Sequence, residues 1–214
     1  MNGARILVAD DHEIVRQGLR RLLESQPRWQ VCAEASSGRE AVEKARQLRP
    51  DVAVLDFSMP ELNGAEATRQ ILKDTPRTEV LILTMHDTEE LVHKVLEAGA
   101  RGFVLKSDAG RDLVAAVQAL LAHKTFLSPS VSKVVVEGYL RGPEIETRAD
   151  RLTPREREIV QLVAEGKSNK EVAAALDIST KTVEVHRSNL MHKLNLTSVS
   201  ELVRYAIRNH IVEA

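Results

Sequence analysis

Residues 52–64 read VAVLDFSMPELNG, a short apolar run that ends on a carboxylate and breaks into a loop closed by a glycine. Val52 to Leu55 has no polar residue, as a strand covered on both faces of a parallel sheet requires, and it is too short for a helix. Asp56 then stands at the carboxyl end of that strand, with Pro60 and Gly64 punctuating the next segment. Four similar runs lie around it: Arg5–Ala9, Gln30–Ala35, Val80–Thr84 and Gly102–Lys106. Each is followed by helical spacing, as in Ile14, Val15, Leu19, Leu22 and Leu23, or Leu113, Val117, Leu120 and Leu121, and Gly99 sits where a helix would end. This alternation predicts an α/β domain with a doubly wound five-stranded parallel sheet over residues 1–122.

The remaining chain reads differently. From His123 the pattern fades: Phe126–Leu127–Ser128–Pro129 reads as a turn, Ser130 to Leu140 as a short helix, and residues 141–150 as linker, so 123–150 separates two domains. Residues 151–214 read as four helices. Thr153–Pro154–Arg155–Glu156 is a capping box with proline in the first turn, Gly166 stops that helix, and Ser168–Asn169–Lys170–Glu171 is a second box. Ser179 caps a third helix running to Leu194, and a fourth spans Ser198 to Arg208.

A length of 214 residues suits two small domains, and 30 basic against 31 acidic residues excludes a protein that coats nucleic acid by charge alone. Apolar stretches such as Val80 to Met85 fall well short of the roughly 18 residues a membrane span needs, so the reading is a soluble, cytoplasmic chain without a membrane partner. Cys32, the single cysteine, reads as a small buried side chain.

In an open parallel sheet the ligand site lies beyond the carboxyl ends of the strands, where strand order reverses. Asp10 and Asp11 follow the first strand, Asp56 ends the third, Thr84 the fourth and Lys106 the fifth. Carboxylates gathered there repel one another, by about 4 kcal/mol for two unit charges roughly 4 Å apart at an effective dielectric near 20. Lys106 offsets part of that, and a hard divalent ion the rest, with Mg2+ favoured because it needs few carboxylates and keeps waters for an incoming phosphate. Asp56 is then the natural nucleophile for a phosphoryl group, with Thr84 as a hydrogen-bond donor and carbonyls of the open loop Phe57–Ser58–Met59–Pro60 completing the metal shell. Strand-end aspartates also cap helices, and for Asp10 and Asp11 taken alone both readings stand. A phosphatase of the haloacid dehalogenase type needs a second acid two positions after its nucleophile, where this chain has Ser58.

Asp10–Asp11, Asp56 through Gly64, Leu83–Thr84–Met85–His86 and Gly102–Phe103–Val104–Leu105–Lys106 together resemble the flavodoxin-like receiver domain of bacterial two-component response regulators. The resemblance implies that Asp56 accepts phosphate from the phosphohistidine of a sensor histidine kinase. It implies that Asp11 and Asp56 hold Mg2+ with the Ser58 carbonyl, that Asp10 helps, and that Lys106 contacts the phosphoryl group. Thr84 is then expected to swing toward the new phosphoryl oxygen and Phe103 to move inward, unless Phe103 is simply core. Met85 is bulkier than the small residue many receivers carry beside that threonine, and is expected to restrict access to the pocket.

In the third C-terminal helix, spacing puts Val183, Leu190 and Leu194 on one face and Lys181, Val185, Ser188 and His192 on the other, flanked by Thr182, Glu184, Asn189 and Lys193. Two short helices joined through Asp177–Ile178–Ser179 fit a helix-turn-helix, although a solvated charged face reads the same way on a helical wheel. Leu152 to Glu158, Gly166 to Ala173, Ser179 to Leu190 and Lys193–Leu194 are similar to the LuxR-type DNA-binding domain, which with the receiver places the chain in the NarL/FixJ class of response regulators. That implies base contacts from Glu184, Val185 and Ser188, phosphate contacts from Lys170, Thr182, Arg187 and Lys193, and dimer contacts from Leu202, Val203, Ala206 and Ile207. Arg187 also lies close enough to the buried edge to serve as a structural ion pair. The implied protein is a phosphorylation-controlled transcription regulator that binds double-stranded promoter DNA as a homodimer and catalyses nothing beyond its own phosphorylation and dephosphorylation. A phosphatase, or a receiver carrying a protein-interaction module, are the competing classes.

Overall fold

Strand and helix alternate through the first part of the chain: β1 (Ala4–Ala9), α1 (Glu13–Glu24), β2 (Trp29–Ala35), α2 (Gly38–Leu48), β3 (Val52–Asp56), α3 (Gly64–Asp74), β4 (Glu79–Thr84), α4 (Glu89–Glu97), β5 (Gly102–Leu105), α5 (Ala109–Leu121), β6 (Phe126–Leu127) and α6 (Pro129–Arg141). The strands form one parallel sheet in the order β2-β1-β3-β4-β5-β6. The computed structural model describes residues 3–141 and 152–213, and the chain divides into two units, Met1–Pro143 and Glu144–Ala214. The linker read over 141–150 lies outside the described residues apart from Arg141, which ends α6.

Alternate residues of each strand face opposite layers. Ile6, Val8, Val52, Val54, Leu81, Leu83 and Val104 pack with α1 and α5, whereas Leu7, Ala9, Ala53, Leu55, Val80, Ile82 and Phe103 pack with α2, α3 and α4. Because β1 sits between β2 and β3, the chain leaves β1 toward one edge of the sheet and leaves β3 toward the other, which opens a crevice above the ends of β1 and β3. Asp10 and Asp56 stand at those two ends.

The sheet has one strand more than the sequence pattern predicts. Phe126–Leu127, expected as a turn, extends the sheet beyond β5, with Phe126 N–H donating to the Arg101 carbonyl at 2.9 Å and Ser128 N–H to the Phe103 carbonyl at 3.0 Å. Two residues are too few for a period-2 signal to register. Cys32 is half-buried rather than fully buried, because β2 is the edge strand, and burial still pushes its thiol pKa up.

The second unit holds α7 (Pro154–Ala164), α8 (Asn169–Leu176), α9 (Thr180–Leu194) and α10 (Val199–Arg208) around its own apolar core. Capping boxes open α7 at Thr153/Glu156 and α8 at Ser168/Glu171, as the sequence predicts, and a third opens α10 at Ser198/Glu201. Gly166 ends α7 with φ +83°, a backbone conformation glycine adopts without strain. Arg155 donates to the Leu176 carbonyl at 2.7 Å, fastening the end of α8 to the start of α7.

Gly64 bears directly on the crevice: its N–H donates to the Phe57 carbonyl at 2.7 Å, and a Cβ there would lie 2.5 Å from the Asp56 carbonyl oxygen and 2.9 Å from Phe57 Cα. Gly64→Ala is therefore expected to cost about 1–3 kcal/mol in urea unfolding through overpacking against backbone. Gly110→Ala, where an added Cβ meets nothing within 4 Å in a helix, is expected to gain about 0.5–1 kcal/mol in the same measurement. Equal effects at the two positions would contradict the packing account.

Candidate functional site

Lys106 follows β5 in a short 3-10 turn, Lys106–Asp108, and its ammonium lies 2.8 Å from Asp10 Oδ2 and 2.8 Å from Asp56 Oδ2. The side chains of Asp10 and Asp56 are 0% and 3% exposed, so this bridge holds together two carboxylates that water barely reaches. The other oxygens differ. Asp10 Oδ1 accepts the His12 N–H at 2.8 Å, while Asp56 Oδ1 accepts a longer bond, from Ser58 N–H at 3.3 Å. Arg16 secures the base of the site by donating to the Asp10 carbonyl at 2.7 Å. Thr84 is buried and its hydroxyl oxygen accepts His86 N–H at 3.2 Å.

Burial is the largest influence on Asp56 and, helped by the nearby charge of Asp10, pushes its pKa from 3.8 up to about 6, although the Lys106 hydrogen bond pulls the other way. For Lys106, burial opposes the charge, but hydrogen bonds from its ammonium to Asp10 and Asp56 outweigh it and hold the pKa above its ordinary value. Asp56 is thus a desolvated carboxylate with one lightly engaged oxygen, next to a fixed positive charge. Those are the properties of a nucleophile for an electron-poor, anionic centre.

The structure brings together most of the strand-end residues, with differences. Asp11 is on the rim: its carboxylate is 37% exposed and lies 2.7 Å from His12 Nδ1. Asp10, Asp11 and His12 place ligand atoms within 4.8 Å of one another, and Asp56 joins them through Lys106. His12 and Arg16 escape a reading that counts only strand-end carboxylates, yet His12 adjoins Asp11 in sequence and Arg16 is one helical turn further on. The loop after Asp56 is not open, since Phe57 and Met59 are 4% and 3% exposed. Phe103 is already inward, fully buried among Leu91, Val92 and Val95. Met85 is 66% exposed.

In the helical unit, α8 and α9 pack as consecutive helices, with Val183, Leu190 and Leu194 buried as the helical wheel predicts. Lys170, Lys181, Thr182, Glu184, Val185, Ser188, His192 and Lys193 are exposed. Val185, at 53%, is an apolar side chain standing in water on an otherwise polar face. Lys193 pairs with Glu156 at 2.7 Å, and Arg187 donates to Asn169 Oδ1, tying α9 to α8 through an amide rather than an ion pair. On α10, Leu202 and Ala206 are 1% and 0% exposed in the unit's own core and so are withdrawn from the expected dimer surface, which leaves Val203 and Ile207, both half-buried.

A doubly wound sheet with an acidic crevice, in one chain with a helix-turn-helix unit, defines a signal-receiving DNA-binding protein. Residues 6–118 match the response regulator receiver domain, and residues 150–206 match the luxR family of bacterial regulatory proteins. The chain belongs to the two-component response regulators that join these two domains, which are regulators of transcription. It is 39% identical to the oxygen regulatory protein NreC of Staphylococcus carnosus (strain TM300), over 98% of this chain and 99% of that one. It is 38% identical to the transcriptional regulatory protein LiaR of Bacillus subtilis (strain 168), over 97% and 99%. The solved complex of the response regulator RcsB with DNA is 30% identical, with a TM-score of 0.60 over 95% of this chain and 98% of that one. No described helix is long and apolar enough to cross a membrane.

A carboxyl whose folded pKa is raised binds its proton more tightly in the native state, so its contribution is fully present below about 4 and lost by about 6. Metal-free protein is expected to lose thermal stability as pH rises from about 4 to 6, and Asp56→Asn to lose less over the same window. Superimposable profiles for the two proteins would contradict the assignment of a desolvated Asp56.

Proposed function

We propose that Asp56 accepts a phosphoryl group from the phosphohistidine of a sensor histidine kinase, and that this event controls binding of promoter DNA by a homodimer. The observation that carries this reading is the Lys106 bridge, which holds a positive charge 2.8 Å from Asp56 in a buried crevice. An Asp56 oxygen attacks phosphorus as the N–P bond breaks, and the histidine nitrogen leaves with the electron pair and takes a proton from solvent. Lys106 offsets charge on the equatorial oxygens, and the Thr84 hydroxyl turns to donate to one of them. Ser58, in place of an acid, provides no proton donor for hydrolysing an external ester, so the chemistry stays on the chain itself.

Three carboxylates, Asp10, Asp11 and Asp56, stand against one ammonium, and that excess of negative charge on hard oxygen donors fits a divalent cation. Asp11 and Asp56, with the Ser58 carbonyl and help from Asp10, would hold Mg2+, which supplies further neutralisation of phosphoryl oxygens when bound.

For DNA, α9 is assigned to the major groove, with Glu184 accepting from a cytosine amine, Val185 touching a thymine methyl and Ser188 beside them. Lys170, Lys181, Thr182, Arg187, His192 and Lys193 are assigned to the backbone and the groove rim, and Val203 and Ile207 to the contact between copies. Pairing on two half-sites converts weak single-site binding into tight binding through effective concentration, so a receiver regulates DNA affinity without touching a base. A regulator that meets both a promoter and the output of a sensor kinase works in the cytoplasm.

The test is fluorescence anisotropy on a captured genomic operator with half-sites about 34 Å apart. Acetyl phosphate with Mg2+ is expected to tighten binding by about 10²-fold or more in wild type and not in Asp56→Asn; an equal gain in both would refute the reading. Lys170→Ala is expected to weaken all sequences alike and reduce the salt slope by about 1, whereas Glu184→Ala relaxes preference at one base position by about 1–3 kcal/mol. Unchanged binding in both variants would remove α8 and α9 from the DNA.

A further inference from the structure

Helix α6 is built from residues that favour a helix poorly. Its sequence, PSVSKVVVEGYLR, holds Val131, Val134, Val135 and Val136 with Gly138 behind them. Valine loses side-chain freedom in a helix and glycine loses backbone freedom. At 13 residues it is also at the length where even good helix formers are marginal alone in water, about 12–15 residues. Its helicity must therefore come from what it packs against.

Over residues 131–136 that packing is narrow. α6 lies against α4 and β5 within the first unit. Val131 is 0% exposed and belongs to the same buried cluster as Phe103, Leu91, Val92 and Val95. Val135 leans on the cluster, but Val136 is 57% exposed, so among residues 131–136 Val131 is the one fully buried valine. The entry to the helix is fastened to Phe103 as well: Ser128 N–H donates to the Phe103 carbonyl at 3.0 Å. Ser128 is 0% exposed, and its hydroxyl has no hydrogen-bond partner among the described residues. A buried hydroxyl without a partner is a standing penalty on the docked state, and it is relieved when the segment lifts into water.

We propose that α6 is a conditional helix, a strap docked on α4 and β5, keyed to Phe103 through Val131 and Ser128 and held near balance by the Ser128 hydroxyl. When the surroundings of Phe103 rearrange, the strap lifts and, having lost its packing, unwinds. Its 13 residues span about 20 Å as a helix at roughly 1.5 Å per residue, and up to about 43 Å extended at roughly 3.3 Å per residue. Lifting α6 therefore lengthens the tether ahead of the DNA-binding unit by about 20 Å, which is the freedom that seating two copies on paired half-sites demands. The conditional helix rests on packing alone, whereas its trigger rests on the phosphoacceptor reading of Asp56.

Hydrogen-exchange mass spectrometry on the full chain tests both parts. Without phosphoryl donor, Val131→Ala is expected to speed amide exchange across residues 130–136 on the order of tenfold, and Ser128→Ala to slow it severalfold by removing the unpartnered hydroxyl. Faster exchange in Ser128→Ala, or no change in Val131→Ala, overturns the strap. Beryllofluoride with Mg2+, as a phosphoryl mimic, is expected to protect the peptide containing Asp56 and to speed exchange in α6 in wild type, with neither change in Asp56→Asn. Protection at Asp56 with unchanged exchange in α6 overturns the trigger. Absence of protection at Asp56 overturns the phosphoacceptor reading instead, and the two donor-free variants still decide whether α6 is a conditional helix.

Discussion

One ammonium group stands between two buried carboxylates, and the architecture of the first unit is arranged around that bridge. Asp10, Asp56 and Lys106 are far apart in sequence, and only a parallel sheet with β1, β3 and β5 ending on the same side places them together. Burial makes the charges expensive, and the short contacts to Lys106 make them tolerable. The balance is incomplete, since Asp56 is still pushed up to about 6. We assign that site, with its excess negative charge and one lightly engaged oxygen, to a cation and an electrophile, and the chain belongs to the receiver family.

The second unit solves a different problem. Its core is small, so its geometry depends on helix ends: three capping boxes and the Arg155 bond to the Leu176 carbonyl set where α7, α8 and α10 begin and how α8 meets α7. That frees the outward face of α9 from structural duty. Lys181, Glu184, Val185 and Ser188 stand exposed outside the unit's buried core, which suits residues whose partner is another molecule.

Much of this is legible in the sequence because the relevant signals are local. Five of the strands, the capping boxes and the buried face of α9 each occupy one continuous segment with its own periodicity or punctuation. The features that escape depend on contacts across the chain. β6 is only two residues long and exists because β5 offers it a free edge. For Phe103 the sequence leaves a switch residue and plain core both open, and does not show that it is already inward, because that depends on α4 and Val131. Leu202 and Ala206 look like spare apolar surface on α10 until α7 is packed against them. His12 and Arg16 escape for another reason: their parts, at the Asp11 carboxylate and the Asp10 carbonyl, emerge only once the backbone turns into α1.

The central claim is that these separated residues make Asp56, and no other side chain, the phosphoryl acceptor. Borohydride converts an aspartyl phosphate to homoserine at the modified position, so reductive trapping after incubation with acetyl phosphate and Mg2+, followed by peptide sequencing, locates the acceptor directly. The account predicts homoserine at position 56 alone, with the signal lost when Lys106 is replaced by alanine. Homoserine at position 10 or 11, or undiminished trapping without Lys106, would contradict it.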